Sequence, residues 1–232
     1  MAAPPSLPDA AADRGEETRP RLIEAAQPLF ARDGFDGVSA RRIAEAGHAN
    51  VAAIAYHFGS KRGLYLAVAE AVAERSAAAL APLASGVAAE VAAADGDRAR
   101  LGRLLATVVG RLMRGLVTAR EDGRAGFLLR ELLMPSEAFD ILDRDFFAPM
   151  NRAFAAIAGA ALDVPAGHEQ AILRGHLVLG AIMPLIAARA VVERRLGREI
   201  LDGAALDGTV AVAIAGACGS LGLPVPPPEG GD

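Results

Sequence analysis

The chain of 232 residues has a net charge of −4, and 53% of its residues are hydrophobic although only 4% are aromatic. This acidic balance argues against a general nucleic-acid coat protein. The single cysteine, Cys218, excludes an internal disulfide framework and fits a reducing cytoplasm. The first residues lack the apolar segment of a signal peptide, and the longest apolar run is interrupted by Arg189 before it reaches membrane-spanning length. We therefore expect a cytoplasmic protein with no membrane partner.

Helical periodicity dominates the sequence without a convincing alternating strand pattern, which predicts an all-α fold. We expect an N-terminal domain of three helices over 18–65, followed by a larger helical domain over 66–221. Disordered tails are predicted over 1–17 and 222–232. Residues 18–64 contain seven basic and four acidic side chains, which indicates local contact with an anion.

Prolines, glycines and acidic residues delimit most of the predicted helices. Helix 1 is expected to begin near residues 18–20 and to end at the glycines of RDGFDG, with Pro28 inside it at the cost of one hydrogen bond. A long helix is expected to follow GSKRG, with Ser60 as its cap, and Pro82 is expected to kink or end it. Further helices are predicted over 98–118, 123–133, 137–161, 168–195 and 203–220.

Two short helices between these elements carry the most informative pattern. Ser39 is a good N-cap for the helix ARRIAEA, which ends at Gly47. Asn50, another capping residue, precedes a second short helix that ends near Phe58. Residues 39–58 therefore predict a helix, a three-residue turn and a helix.

The second short helix has two different faces when it is drawn as a helical wheel. A core-facing stripe contains Val51, Ile54, Ala55 and Phe58. The opposite face is small at its start and polar at its end, and it contains Asn50, Ala52, Ala53, Tyr56 and His57. Small side chains let a helix lie deep in the major groove, where methyl groups can contact thymine methyls.

Polar side chains around this face are placed to bind the DNA backbone. Tyr56, His57 and Lys61 are expected to contact phosphates, and the helix N-terminus at Ser60 would add backbone donors. The first short helix would cross the backbone as in helix-turn-helix units, with Arg41 and Arg42 directed at a phosphate or an outlying guanine edge. The alternative from the residues alone is a helical hairpin inside a bundle.

The segment LIEAAQPLFARDGFDGVSARRIAEAGHANVAAIAYHFGSKRGLY resembles the N-terminal domain of the TetR/AcrR family of transcriptional repressors. Its NVAAIAYHFGSK portion looks most similar to the CecR-like branch, and LLRELLMPSEAFDILDRDFFAPM over 128–150 more weakly resembles that branch's ligand-binding domain. The resemblance implies an all-helical homodimer that binds a palindromic operator through an N-terminal three-helix helix-turn-helix DNA-binding domain over 18–65. It also implies that the operator is released when a small molecule binds to the larger helical ligand-binding and dimerisation domain over 66–221.

Carried over from the family, the recognition positions are Asn50, Val51, Ala52 and Ala53, and the phosphate positions are Ser39, Tyr56, His57 and Lys61. This chain departs from the family pattern at two positions. Most members have a tyrosine where Ala55 stands, and the turn glycine usually stands where this chain has His48. Histidine tolerates a left-handed backbone better than most residues, so we expect the turn to survive.

The second half concentrates the scarce aromatic residues and methionines, which favours either ordinary core packing or an apolar ligand chamber. Arg130 and Glu131 are the candidate polar groups of such a chamber, although they would also fit an ordinary surface ion pair. The candidate ligand-binding residues are Phe127, Arg130, Glu131, Met134, Phe139, Phe146, Met150 and Met183.

The helices near 168–195 and 203–220 are too apolar for a lone helix pair, which predicts a homodimer through a four-helix interface. No metal site is predicted, because no two histidines combine helical spacing with a carboxylate or cysteine partner. No cofactor is predicted, and we find no nucleophile–base pair of the kind that would indicate an enzyme. We therefore expect a ligand-responsive repressor of an inverted-repeat operator in double-stranded DNA. The alternative is a constitutive architectural DNA-binding protein with an inert helical body.

Overall fold

The computed structural model describes residues 10–227, and their side chains at residues 17–79 and 86–227. Every regular element in this part of the chain is helical, as predicted. The α-helices are α1 (Ala10–Asp33), α2 (Ala40–Ala46), α3 (Val51–Phe58), α4 (Lys61–Ala94), α5 (Arg98–Glu121), α6 (Arg124–Leu133), α7 (Ala138–Leu142), α8 (Ala148–Leu162), α9 (Glu169–Ala187), α10 (Arg189–Leu196) and α11 (Gly203–Ser220), with a π-helical turn at Asp143–Phe147.

Local capping determines where α2 and α3 begin. The Ser39 hydroxyl accepts a hydrogen bond from the Arg42 N–H at 3.2 Å, and the Asn50 side-chain oxygen accepts one from the Ala52 N–H at 2.9 Å. Each bond satisfies a backbone donor that has no partner within its helix. The predicted helix, three-residue turn and helix are therefore confirmed.

Three predicted boundaries need correction. Helix α1 begins at Ala10, so residues 10–17 of the predicted disordered tail are helical, and residues 1–9 lie outside the described residues. Helix α4 continues through Pro82 to Ala94, because a proline removes one hydrogen bond while the turns on either side keep theirs. Leu223, in the predicted C-terminal tail, is buried in the core, where burial of its apolar side chain orders the segment.

The two longest helices predicted in the second half are both modified. The helix predicted over 137–161 is present as one helical run over 138–162, but it contains the π-helical turn. The helix predicted over 168–195 is interrupted at Ala188, whose N–H donates to the Pro184 carbonyl at 3.1 Å. Nothing in the local sequence other than Pro184 marks this interruption.

The chain forms two compact units. Unit 1 contains the described residues up to Val72 together with Gly126–Ile141, and unit 2 contains Ala73–Ala125 and the described residues from Leu142 onward. Unit 1 therefore extends beyond the domain boundary predicted at residue 65, because it reaches Val72 and also contains a segment from much later in the sequence.

Each unit has its own core. In unit 1, α1, α2 and α3 pack against one another around Leu22, Phe30, Ile43 and Ile54, all of which are buried. In unit 2, the core is formed mainly by α5, α8, α9 and α11. Cys218 is fully buried there, with its sulfur 3.9 Å from the Gly102 carbonyl oxygen, which agrees with the expectation of a small buried apolar residue.

Candidate nucleic-acid interface

The turn between α2 and α3 uses a histidine in a left-handed conformation. His48 has a φ of 48°, whereas Gly47 has a φ of −86°. The turn is closed by a hydrogen bond from the Ala49 N–H to the Ala44 carbonyl at 2.9 Å. The expectation that the turn survives with histidine at this position is confirmed.

Helix α3 exposes more of its surface than the helical wheel predicts. Ile54 is the one fully buried residue of this helix, whereas Val51 is 44% exposed and Ala55 is also exposed. The placement of Val51 and Ala55 on a core-facing stripe is therefore wrong. Helix α3 has only eight residues and packs through Ile54 at its centre, so residues at the edge of the stripe remain accessible to solvent.

The exposed surface of α3 contains most of the predicted recognition residues. Asn50, Val51 and Ala52 are exposed, and Ala53 is half-buried beside them. Because the Asn50 side-chain oxygen caps the helix, its amide N–H groups remain the part of this side chain that can donate to a base or a phosphate. The surface is thus small, largely apolar and bordered by one amide at its N-terminal end.

Arg41 and Arg42 lie on α2 in exposed ion pairs. Arg41 Nε lies 2.9 Å from Glu45 Oε1, and an Arg42 terminal nitrogen lies 2.8 Å from Asp33 Oδ2. The hydrogen bond from Arg32 lowers the pKa of Asp33, and the charge of Arg42 acts in the same direction. Exposed ion pairs contribute little free energy, so either guanidinium can exchange its carboxylate for a phosphate at small cost.

Lys61 has a structural role that the sequence did not indicate. Its ammonium group donates to the carbonyl oxygens of Phe35 at 2.8 Å and Val38 at 3.0 Å, and it lies 4.0 Å from the centre of the Phe35 ring. Lys61 therefore connects the start of α4 to the loop between α1 and α2. An ammonium group has three donors, so the predicted phosphate contact remains a prediction.

The C-terminal end of α3 carries two polar rings and an aromatic contact. Tyr56 is 84% exposed, and its ring lies edge-on to the half-buried His57 at 4.9 Å between centroids. The Ser60 hydroxyl accepts from the Gly63 N–H at 3.1 Å, which confirms it as the cap of α4. The exposed Arg19, which the sequence reasoning missed, lies 5.3 Å from the centre of the Phe58 ring and adds a cation beside this end of α3.

The predicted ligand-binding residues are divided between the two units. Unit 1 contains Phe127, Arg130, Glu131, Met134 and Phe139, whereas unit 2 contains Phe146, Met150 and Met183. Glu131 is only 1% exposed and receives hydrogen bonds from Tyr65 and Ser136, so the alternative of a surface ion pair with Arg130 is wrong. Met134, by contrast, is largely exposed.

Helices α9 and α11 of unit 2 leave apolar side chains on their outer surfaces. On α9, Ile172, Leu173 and Leu177 are 51%, 52% and 57% exposed, and on α11 Val212 is 63% exposed. By length and composition alone, both helices are long and apolar enough to cross a membrane, as the core helices of soluble proteins can also be. Helix α9 contains Glu169 and Arg174, so it is not an uninterrupted apolar run of the kind that the sequence was expected to lack.

Among the described residues, no three or more His, Cys, Asp or Glu side chains are grouped to hold a metal ion.

Two family models match the N-terminal and C-terminal parts of the chain. The model of the TetR family of bacterial regulatory proteins matches residues 22–68. The model of the C-terminal domain of the HTH-type transcriptional dual regulator CecR matches residues 98–217, more than half of the chain. The chain is 27% identical over 189 residues to the HTH-type transcriptional dual regulator CecR of Shigella flexneri, a match that covers 82% of this chain and 84% of that protein.

Two further similarities concern the N-terminal region and the fold. The chain is 40% identical over 68 residues to the HTH-type transcriptional repressor AcnR of Corynebacterium glutamicum, a match that covers 29% of this chain and 36% of AcnR. The crystal structure of HlyIIR, a hemolysin II transcriptional regulator, aligns with a TM-score of 0.50 at 16% identity and covers 87% of this chain and 97% of HlyIIR. The chain therefore belongs to the TetR family of DNA-binding transcriptional regulators, in the CecR-like branch, and is not an enzyme.

Proposed function

We propose that the protein is a ligand-responsive repressor of the cytoplasm that binds an inverted-repeat operator as a homodimer and is released by a small, largely apolar effector. The observation that carries this proposal is the exposed, small-residue surface of α3, together with the exposed Tyr56 near the end of this helix and the exposed Arg41 and Arg42 on α2. A helix exposed only to solvent usually carries charged residues on its outer face. A helix that enters the major groove instead needs small residues that permit close approach.

In the proposed complex, Asn50, Val51, Ala52 and Ala53 face the bases. The Val51 and alanine methyl groups would contact thymine methyls, and the Asn50 amide would donate to an acceptor on a base edge. Phosphates on either side would bind Ser39, Arg41, Arg42, Tyr56, His57 and Lys61. These phosphate contacts position the helix without determining the sequence that it reads.

The homodimer would form through the exposed apolar surfaces of α9 and α11. Burial of Ile172, Leu173, Leu177 and Val212 in a four-helix interface removes from water an apolar surface that a monomer would leave exposed. Two copies related by a twofold axis would present two α3 helices to successive major grooves. The operator should then consist of two inverted half-sites about one helical turn, or a small multiple of a turn, apart.

The effector would bind in unit 2, where Phe146, Met150 and Met183 supply bulky and adaptable apolar side chains. Glu131 and Phe127 belong to the packing of unit 1, so we do not place them in the effector site. A coupling of about 1–3 kcal/mol between effector and operator would weaken operator binding by roughly 5- to 150-fold, which is enough to switch a gene.

Selection of bound duplexes from a random DNA library, with the purified full-length protein at near-physiological salt, tests this proposal. We expect enrichment of one inverted repeat, which would then serve as the probe for release by a library of small apolar molecules. Tight binding with steep salt dependence but no enriched sequence would instead indicate a constitutive architectural protein. An enriched repeat that no member of a broad library releases would overturn the effector part of the proposal.

A further inference from the structure

Segment 126–141 packs closely against the C-terminal end of α1 within unit 1. A Cβ atom added to Gly126 would lie 3.3 Å from the Ala31 Cβ, and one added to Gly34 would lie 2.8 Å from Arg130 Nε. Gly34 also has a φ of 74°, which favours glycine. Gly126 therefore allows α1 and this segment to approach closely, and the flexible end of the Arg130 side chain lies against Gly34.

Tyr65 of α4 is the centre of the aromatic packing in unit 1. Its ring lies 4.8 Å from the Phe30 ring, 5.3 Å from the Phe35 ring and 5.3 Å from the Phe127 ring, between centroids. Phe30 and Phe35 come from the end of α1 and the loop after it, whereas Phe127 comes from segment 126–141. This one ring thus contacts α1, the loop after α1 and segment 126–141.

The hydroxyl group of Tyr65 donates a hydrogen bond to a buried carboxylate of segment 126–141. Glu131 accepts a hydrogen bond from Tyr65 Oη, one from the Ser136 N–H at 3.0 Å and one from Ser136 Oγ at 2.9 Å. Glu131 is nearly inaccessible to solvent, and a buried carboxylate is costly unless its oxygens are hydrogen-bonded. The cluster of Tyr65, Glu131 and Ser136 therefore favours one arrangement of the segment on α4.

The cluster lies where the covalent chain connects the two units. Segment 126–141 is preceded and followed by residues of unit 2, and α4 also continues into unit 2 after Val72. The covalent chain thus leads from unit 2 into unit 1 by α4 and by both ends of the segment. A rearrangement within unit 2 that displaces the ends of the segment would act on unit 1 through the contacts between the segment and α4.

We propose that Glu131 is a positioning residue for operator recognition, because its hydrogen bond with Tyr65 holds segment 126–141 on α4 in the arrangement that binds DNA. The proposal rests on the function proposed above. Neither Glu131 nor Tyr65 contacts DNA, and both act through the orientation of the helices that do. Weakening the bond should lower operator affinity even when the fold and the oligomeric state are unchanged.

A double-mutant cycle with Tyr65→Phe and Glu131→Gln, in the full-length protein on the selected inverted repeat, tests this proposal. Tyr65→Phe keeps the ring and removes only the donor, so we expect the variant to fold and to bind the operator roughly tenfold more weakly. The double variant should lose little more than the single variants, because both changes remove the same bond. Glu137→Gln is the matched control, since it removes an exposed ion pair with Arg62 from the same segment, and its affinity should stay within about twofold.

Amide hydrogen exchange supplies a readout that does not depend on DNA. In Tyr65→Phe, exchange should accelerate within residues 126–141 and the first turns of α4, while it stays unchanged in α9 and α11. Wild-type operator affinity in Tyr65→Phe would overturn the proposal, whether or not exchange accelerates in the segment. Failure of the wild-type protein to select any operator would instead contradict the proposed function, and the exchange measurement would still decide whether the bond holds the segment.

Discussion

The ammonium group of Lys61 lies 4.0 Å from the centre of the Phe35 ring and donates a hydrogen bond of 2.8 Å to the carbonyl of the same residue. One side chain thus closes the loop between α1 and α2 onto the start of α4. A second bond, to the Val38 carbonyl, makes the contact specific to a long cationic side chain. These contacts give Lys61 a structural role that can be tested independently of any role in DNA binding.

Replacement of Lys61 by methionine should lower the free energy of unfolding by about 1–3 kcal/mol, because two partly buried carbonyl groups lose their donor. Urea denaturation of the full-length protein measures this change. Arg41→Gln is the control, since its ion pair with Glu45 is exposed and its loss should leave stability almost unchanged. If Lys61→Met also reduces the salt dependence of operator binding by about one phosphate contact, Lys61 binds a phosphate as well. Unchanged stability in Lys61→Met would contradict the structural role.

His48→Gly should stabilise the protein by roughly 0.5–1 kcal/mol, because glycine adopts the left-handed backbone at this position without a Cβ penalty. Thermal or urea unfolding measures the change. The neighbouring Gly47→Ala should act in the opposite direction, since its Cβ would lie 3.1 Å from Leu22 Cδ2. A destabilised His48→Gly variant would show that the histidine side chain contributes more than the backbone strain costs.

Ala53→Glu should abolish specific operator binding, because a longer and negatively charged side chain would enter the proposed contact with the major groove. Footprinting on the selected repeat measures the loss, and sedimentation should show an unchanged oligomer. Glu45→Gln is a suitable comparison, since it removes a negative charge from α2 and should preserve or slightly strengthen binding. A normal footprint from Ala53→Glu would mean that another face of α3 reads the DNA.

Leu177→Arg should convert the proposed homodimer to monomers, because it places a charge in the middle of the exposed apolar surface of α9. Analytical ultracentrifugation measures the oligomeric state, and helical content measured by circular dichroism should be retained. Val225→Arg changes a valine that is 51% exposed and lies outside α9 and α11, and it should leave the oligomer intact. Dissociation by both variants, or by neither, would contradict an interface through these helices.

Tyr65 should make the protein less stable at high pH. Burial raises the pKa of its phenol above the ordinary value, and the hydrogen bond to Glu131 acts in the same direction. Because the unfolded chain then loses this proton at a lower pH than the native protein, the free energy of unfolding should fall as pH rises above about 10. Urea denaturation between pH 8 and about 11 should show a shallower decline in Tyr65→Phe. Identical declines in the two proteins would contradict this environment for Tyr65.

The parts of the fold that sequence reasoning found depend on neighbours in the chain. Ser39 and Asn50 cap helices through N–H groups two or three residues away, so their composition and spacing were sufficient to predict α2, the turn and α3. The helical wheel predicted burial of Val51 wrongly, because a wheel contains no information on how wide the contact with the neighbouring helices is.

The features that sequence reasoning missed depend on residues far apart in the chain. Lys61 binds carbonyl groups 23 and 26 residues away, and Tyr65 binds a carboxylate 66 residues away. Neither partnership leaves a periodic or local signal in the sequence. A glutamate such as Glu131 is usually expected at the surface. The inclusion of segment 126–141 in unit 1 follows from the same long-range contacts.

Because Cys218 is buried, the rate at which its thiol is alkylated reports how often unit 2 opens. Alkylating reagents attack the thiolate, and burial both hides this sulfur and raises the pKa of the thiol. Modification therefore requires a transient opening of the core around α11, and the chain has no other cysteine to obscure the signal. A small molecule that binds and tightens unit 2 should slow alkylation, so the rate of labelling can identify effectors before any operator is known.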